Sequence, residues 1–257
     1  MQRLWGVMAI GLLASLAGRS TLARDMVRPE LAATLGQCAK HFNTIRAELE
    51  VDFRKRSGNF HSIAEKLKIQ PLSLVCAIID QESDGRNLAI RPEPRLCSRV
   101  FEPHHERYRG YRELYRWFYR DYGNSDPDTA KERFCASYGL MQLNYVSMLD
   151  EGFRGPPEQL LEPKINIHYG ILHLQTVYER VIRRRAKELF GKKRFAPEEL
   201  LTAEESLTLD ERLRLMLRLW NGPAEAEITE DFAKDVEDLY DHYEARLSFL
   251  NPGLKSR

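Results

Sequence analysis

The chain has 257 residues, with 39 Lys and Arg against 38 Asp and Glu, so its charge is close to balanced. That balance excludes a broadly basic, nucleic-acid-coating protein. The length and the 43% hydrophobic content are enough to bury a real core, in one large domain or two small ones.

Residues 1–23 have the layout of a secretory signal peptide: Arg3 as the positive start, a short apolar stretch from Leu4 to Ala17, and the small-residue end Thr21-Leu22-Ala23. The apolar stretch is too short to span a bilayer comfortably. An uncleaved membrane anchor is the alternative reading. No Cys follows the stretch, which argues against an acylated N-terminus. The expectation is a periplasmic or secreted protein without stable membrane insertion once the signal is cleaved, with residues 24–257 forming a single domain. Losing Arg3 and Arg19 with the signal takes the basic count from 39 to 37, against 38 acids.

Helical periodicity runs through nearly all of the rest, and no segment shows convincing strand alternation. A polar helical pattern covers residues 29–56 and a short helix covers 61–68. Pro71, a favoured first helical residue, opens a helix ending at Ser83, and Asp84-Gly85-Arg86-Asn87 supplies the turn after it. Residues 87–134 read as irregular and rich in Arg, Tyr and Pro. Within them Tyr108 to Tyr122 is aromatic and basic, and Gly123-Asn124-Ser125-Asp126-Pro127 breaks that pattern. Helical patterns resume at 140–150, 165–190, 205–220 and 229–248, with Gly155-Pro156-Pro157 as a connector. A basic stretch from Arg180 to Arg194 and an acidic one from Glu225 to Glu244 read as solvated helix faces pairing with each other. Docking on an anionic polymer such as the cell wall is the alternative.

Glu82 is the residue that suggests chemistry. Positions three, four and seven before it on the helix are Ile79, Ile78 and Val75, so its carboxylate lies on the apolar face. Desolvation there raises a carboxyl pKa, which suits a general acid. An acidic residue at the solvent edge of a core helix is the plainer reading. Asp80 and Asp84, two residues either side, point away from it. His104-His105 and the pair His168 and His173 lack the spacing of a metal site, and no cofactor is expected.

Four segments occur in a fixed order: Ile78-Ile79-Asp80-Gln81-Glu82-Ser83, Ala136-Ser137-Tyr138-Gly139-Leu140-Met141-Gln142, Leu160 to Leu174, and Leu219-Trp220-Asn221-Gly222-Pro223. Together they resemble the soluble-type lytic transglycosylases, over a core of about residues 60–223. The resemblance implies an all-α, lysozyme-like domain acting on peptidoglycan glycan strands, with Glu82 as catalytic acid/base. It implies that Ser83 caps or orients near Glu82, that Tyr138 and Gly139 belong to a backbone turn approaching the glycan, that Met141 and Gln142 extend into the groove, and that Trp220 and Asn221 line the opposite wall. Asn166 and Gly170 read as architectural, marking a helix start and a close helix contact.

The chain departs from the family pattern in three places. Trp220 stands where the family usually has Tyr, no acid aligns with a further motif after the fourth segment, and the segment 87–134 is an insertion, expected to wall or lid the groove. Val100-Phe101-Glu102-Pro103-His104 within it resembles phage-type muramidases of the same broad fold. Cys97 and Cys135, which flank much of the insertion, are expected to pair, leaving Cys38 with Cys76. Four cysteines allow three connectivities, and Cys76 also suits a buried thiol. The function expected is lytic transglycosylation. The alternatives are hydrolysis, with a second carboxylate from Glu93, Glu102 or Glu106, and a wall-binding scaffold without turnover.

Overall fold

The computed structural model describes residues 66–102, 109–122, 126–221 and 227–250. The signal peptide, the 29–56 helix, Cys38 and Glu106 lie outside them. The fold is all-α and lysozyme-like, with one small sheet.

Helix α1 runs Pro71–Ser83, with proline in its first turn. It ends because Asp84 turns left-handed (φ 51°) and its N–H donates back to Asp80 O. Leu74 through Ile79 are all at most 1% exposed, so α1 is the central helix, covered on every side. The chain then forms β1 (Ile90–Arg91), which pairs antiparallel with β2 (Ser137–Tyr138), and β2 pairs with β3 (Leu143–Asn144). Two-residue strands are too short for alternation to show in a sequence.

Between β1 and β2 lies the insertion, and here the expectation of irregular chain is corrected. It holds three helices: α2 (Pro94–Phe101), α3 (Arg109–Tyr122) and α4 (Pro127–Cys135). Asp126 caps α4 by accepting from the N–H groups of Asp128 and Thr129. The three helices share an aromatic cluster. Phe118 and Phe134 are fully buried, and Phe101 and Tyr115 close over Phe134 at ring separations of 6.3 and 5.3 Å. Tyr145 continues the cluster toward the main core, 5.7 Å from Phe134.

Helix α5 (Tyr145–Asp150) follows β3, capped by Asn144. The helical pattern expected over 140–150 thus starts late, because residues 139–142 make a tight turn and 143–144 a strand. A 3₁₀ turn (Pro157–Leu161) leads into α6 (Pro163–Phe190), the longest helix described. Helix α7 (Pro197–Glu205), which the periodicity did not single out, packs on α6. Helix α8 (Leu209–Asn221) lies between α6 and α9 (Glu227–Leu250), and α9 covers α1.

Among the described residues, the ion pairs of the charged stretches run mostly to other partners than the pairing expected between them. Glu230 and Glu237 of α9 pair with Arg214 and Arg218 of α8. In the basic stretch, Arg184 and Arg185 pair with Glu188 of their own helix and Lys192 with Glu199 of α7. No described helix is long and apolar enough to cross a membrane.

Candidate active site

Glu82 stands in the last turn of α1, where the helix leaves the core and meets a groove of about 510 Å³. Its side chain keeps 5% exposure. Two donors hold it from opposite sides: Trp220 Nε1 donates to Oε1 at 3.1 Å, and Arg91 Nη1 donates to Oε2 at 3.3 Å. Burial pushes its pKa from 4.5 up to about 7, against the charge of Arg91 and the hydrogen bonds from Trp220 and Arg91, with Glu93 adding a smaller upward push. A carboxyl of this kind exchanges protons near neutral pH.

Arg91 comes from β1 and also donates from Nε to Glu93 Oε1 at 3.0 Å, an oxygen that Ser137 Oγ reaches at 3.1 Å. Glu93 lines the same groove as Glu82. The guanidinium thus bridges two carboxylates and partly neutralises both.

The opposite wall is built from far along the chain. The ring of Trp220, at the end of α8, lies 5.3 Å from that of His173 on α6. His173 Nδ1 is 3.0 Å from Glu151 Oε1, and Thr176 Oγ1 donates to Glu151 Oε2 at 3.0 Å. Glu151 is 3% exposed. A buried carboxylate therefore fixes an imidazole, the imidazole backs the indole, and the indole N–H meets Glu82.

The floor beside α1 is the 139–142 turn. Gly139 adopts φ 75°, and a Cβ there would collide with Leu160 O and the Asn166 side chain. Asn166, fully buried, accepts from Met141 N at 2.7 Å and donates to Tyr138 O at 2.8 Å and Leu160 O at 2.7 Å. Ser83 Oγ donates to Leu140 O at 2.7 Å, tying this turn to α1 one residue from Glu82. Gln142 takes a left-handed φ of 45°, and its amide Nε2 donates to Ala89 O and Gly139 O.

The family model for the transglycosylase SLT domain matches residues 59–190. The chain belongs to the transglycosylase SLT family. No curated protein and no solved structure is detectably similar to it. Family membership makes it a cell-wall enzyme of the lytic transglycosylase and lysozyme-like kind. The matched stretch carries α1, the insertion and α6, while α8 with Trp220 and Asn221 lies beyond it.

Of the residues singled out in the sequence, the SLT fold brings Glu82, Gln142, Trp220 and Asn221 to one groove. Four others do not reach it. Met141 is fully buried, with its sulfur against Gly170, where any Cβ would collide with it. Tyr138 is 1% exposed and its hydroxyl donates to Arg133 O at 2.7 Å. Ser83 faces Leu140 and is 2% exposed. The close approach at Gly139 is to Leu160 and Asn166. Ser83 lies beside Glu82 and ties α1 to the turn, while Tyr138, Gly139 and Met141 are buried within the turn and face the protein interior. Asn166 lies in the first turns of α6, and the close approach at Gly170 is to Met141 of the 139–142 turn rather than to another helix.

The cysteines of the insertion, Cys97 on α2 and Cys135 at the end of α4, stand as neighbouring free thiols, with hydrogen bonding from Cys135 holding the Cys97 pKa down. Cys76 is buried in α1. Arg91, Glu151 and His173 were not anticipated as parts of the site. Arg91 carried no motif, and Glu151 and His173 gain meaning only when α5 and α6 meet beside Trp220.

Proposed function

We propose that this chain is a peptidoglycan lytic transglycosylase that cuts the β-1,4 bond from N-acetylmuramic acid to N-acetylglucosamine and leaves a 1,6-anhydromuramyl end. The observation that carries the reading is the nearly dry Glu82 carboxyl, poised to titrate near pH 7 on the edge of an open groove. Protonated Glu82 gives its proton to the glycosidic oxygen as the C1–O bond breaks, and the glucosamine side departs as an alcohol. The sugar passes through an oxocarbenium-like state. The carboxylate so formed takes the proton of the muramic acid C6 hydroxyl, whose oxygen closes on C1 and restores protonated Glu82. The nucleophile belongs to the substrate, so proximity replaces a second carboxylate. Trp220 N–H and Arg91 stabilise the carboxylate phase of this cycle.

The same reading includes residues 1–23 as a cleaved signal, action outside the cytoplasm, and residues 24–257 as one catalytic domain. One observation favours a second reading. Glu93 also lines the groove and stands ready to hold water, as a hydrolase would require. The test is release of soluble fragments from purified peptidoglycan, in heavy-oxygen water, by the wild type and Glu82→Gln. Transglycosylation predicts fragments without heavy oxygen and none from the variant. Heavy oxygen at the new ends supports hydrolysis. Equal release by both proteins removes Glu82 from the chemistry.

A further inference from the structure

Three arginines line the groove from the insertion side: Arg91, Arg95 and Arg99. Arg91 is committed to Glu82 and Glu93. Arg95 and Arg99 are different. They sit four residues apart on α2, so they share one face of that helix. Both are exposed, and neither has an acidic partner among the described residues. Like charges at this spacing disfavour the helix that carries them. Some helical arginines meet carboxylates, such as Arg133 with Glu158, Arg185 with Glu188, Arg214 with Glu237 and Arg218 with Glu230. Others, such as Arg116, Arg180 and Arg183, face solvent. Arg95 and Arg99 differ from both in lining the groove without such a partner among the described residues. The positive pair facing the groove is therefore a local excess that the fold leaves unsatisfied. The groove's own acids do not offset it, since Glu82 is held between Arg91 and Trp220 and Glu93 is held by Arg91.

We propose that Arg95 and Arg99 form a carboxylate subsite that reads the arm projecting from the muramic acid ring of the strand in the groove. This subsite rests on the peptidoglycan reading of the groove. The amide and hydroxyl groups of the alternating sugars are neutral, so a bare glycan gives two guanidinium groups nothing to pair with. The lactyl arm does carry negative charge, from its own carboxylate when no peptide is attached or from the carboxylates of an attached peptide stem. A planar guanidinium matches either by two parallel N–H···O bonds. Helix α2 stands on the aromatic cluster of the insertion and presents the pair at a fixed height along the groove. The insertion thereby acts as a specificity wall on the Glu82 side of the site.

The experiment measures binding in the Glu82→Gln background, so that turnover plays no part. Three strand preparations are compared: strands bearing peptide stems, strands stripped to free lactyl carboxylates, and stripped strands with those carboxylates converted to neutral methylamides. The readout is the ratio of Kd for neutral strands to Kd for each charged preparation, with and without Arg95→Gln/Arg99→Gln. Thermal unfolding of each variant checks folding, and Arg95→Lys/Arg99→Lys keeps the charge while removing the planar fork. The subsite predicts that the glutamine pair lowers the preference for charged strands about 10- to 100-fold, with lysine intermediate. Sensitivity confined to stem-bearing strands assigns the peptide carboxylates, and sensitivity confined to stripped strands assigns the lactyl carboxylate. A ratio unchanged by the glutamine pair overturns the proposal. Cleavage by the wild-type protein is followed separately on the stem-bearing strands. A charge preference without any cleavage would leave the subsite standing and remove the enzymatic reading.

Discussion

At the scale of single residues, desolvation keeps the Glu82 carboxyl neutral while two donors, Arg91 and Trp220, oppose it. With a pKa of about 7, Glu82 is protonated below that pH and charged above it, so kcat/KM is expected to fall as pH rises through about 7. The charged and titratable groups facing it are Arg91 and Glu93, with His173 behind Trp220. Arg91→Gln removes the largest influence favouring the carboxylate, and Trp220→Phe removes a hydrogen bond while keeping a ring. Both are expected to move the alkaline limb of the pH–rate profile upward. A limb that stays in place or moves down in both variants would contradict the assignment.

The same group affects stability. Its folded pKa lies above the ordinary 4.5, so between pH 4.5 and about 7 the folded chain holds a proton that the unfolded chain releases. Folding therefore weakens as pH rises through this window, and above it the full cost is present, about 3 kcal/mol. Glu82→Gln is expected to stabilise the protein by up to about 3 kcal/mol at pH 8 and by much less at pH 4, read by denaturant unfolding at the two pH values. Position and environment of Glu82 were legible in the sequence, because helical spacing alone places it with Val75, Ile78 and Ile79. Its partners were not, because hydrogen bonding across the groove depends on where β1 and α8 arrive.

At the scale of elements, the 139–142 turn and the insertion carry the site. Asn166 satisfies three buried backbone groups of the turn and its surroundings, so Asn166→Ala orphans them together. The expected loss is about 2–5 kcal/mol, with activity lost although no groove residue has changed. Unfolding midpoints and clearing assays check both parts. A variant as stable and as active as the wild type would show that the turn needs no such support.

Helices α1 and α6 were legible because their apolar residues recur at helical spacing over long runs. Helices α2 to α4 were not. Helices α2 and α4 are short, α3 is dominated by Arg and Tyr, and much of what the three bury is aromatic rings that satisfy each other across helices. The Cys97 and Cys135 thiols lie where α2 meets α4. In an oxidising compartment they are expected to close a disulfide, stabilising the chain by about 2–4 kcal/mol and fixing the arginine-bearing helix. Mass analysis of alkylated protein before and after reduction, with unfolding of both forms, checks this.

At the scale of the whole molecule, the family match ends with α6, yet α8 and α9 complete the groove. Helix α8 brings Trp220 and Asn221, and α9 covers α1 and holds α8 through the Arg214 and Arg218 ion pairs. The ordered segments around Glu82, Gln142 and Asn166 were enough to point to the family from sequence. They did not show which of their side chains reach substrate, because a buried Met141 and an exposed one have the same letter. The chain of contacts from Glu151 through His173 to Trp220 joins the end of α5 and the middle of α6 to the distant α8, a meeting that only the tertiary fold provides.

The measurement that bears most directly on the central claim is the mass of the muramic acid ends released from purified peptidoglycan by the wild-type protein and by Glu82→Gln. Intramolecular closure driven by Glu82 predicts ends lighter than reducing ends by one water molecule, and none from the variant. Full-weight reducing ends would contradict that closure, and identical products from both proteins would contradict the role of Glu82.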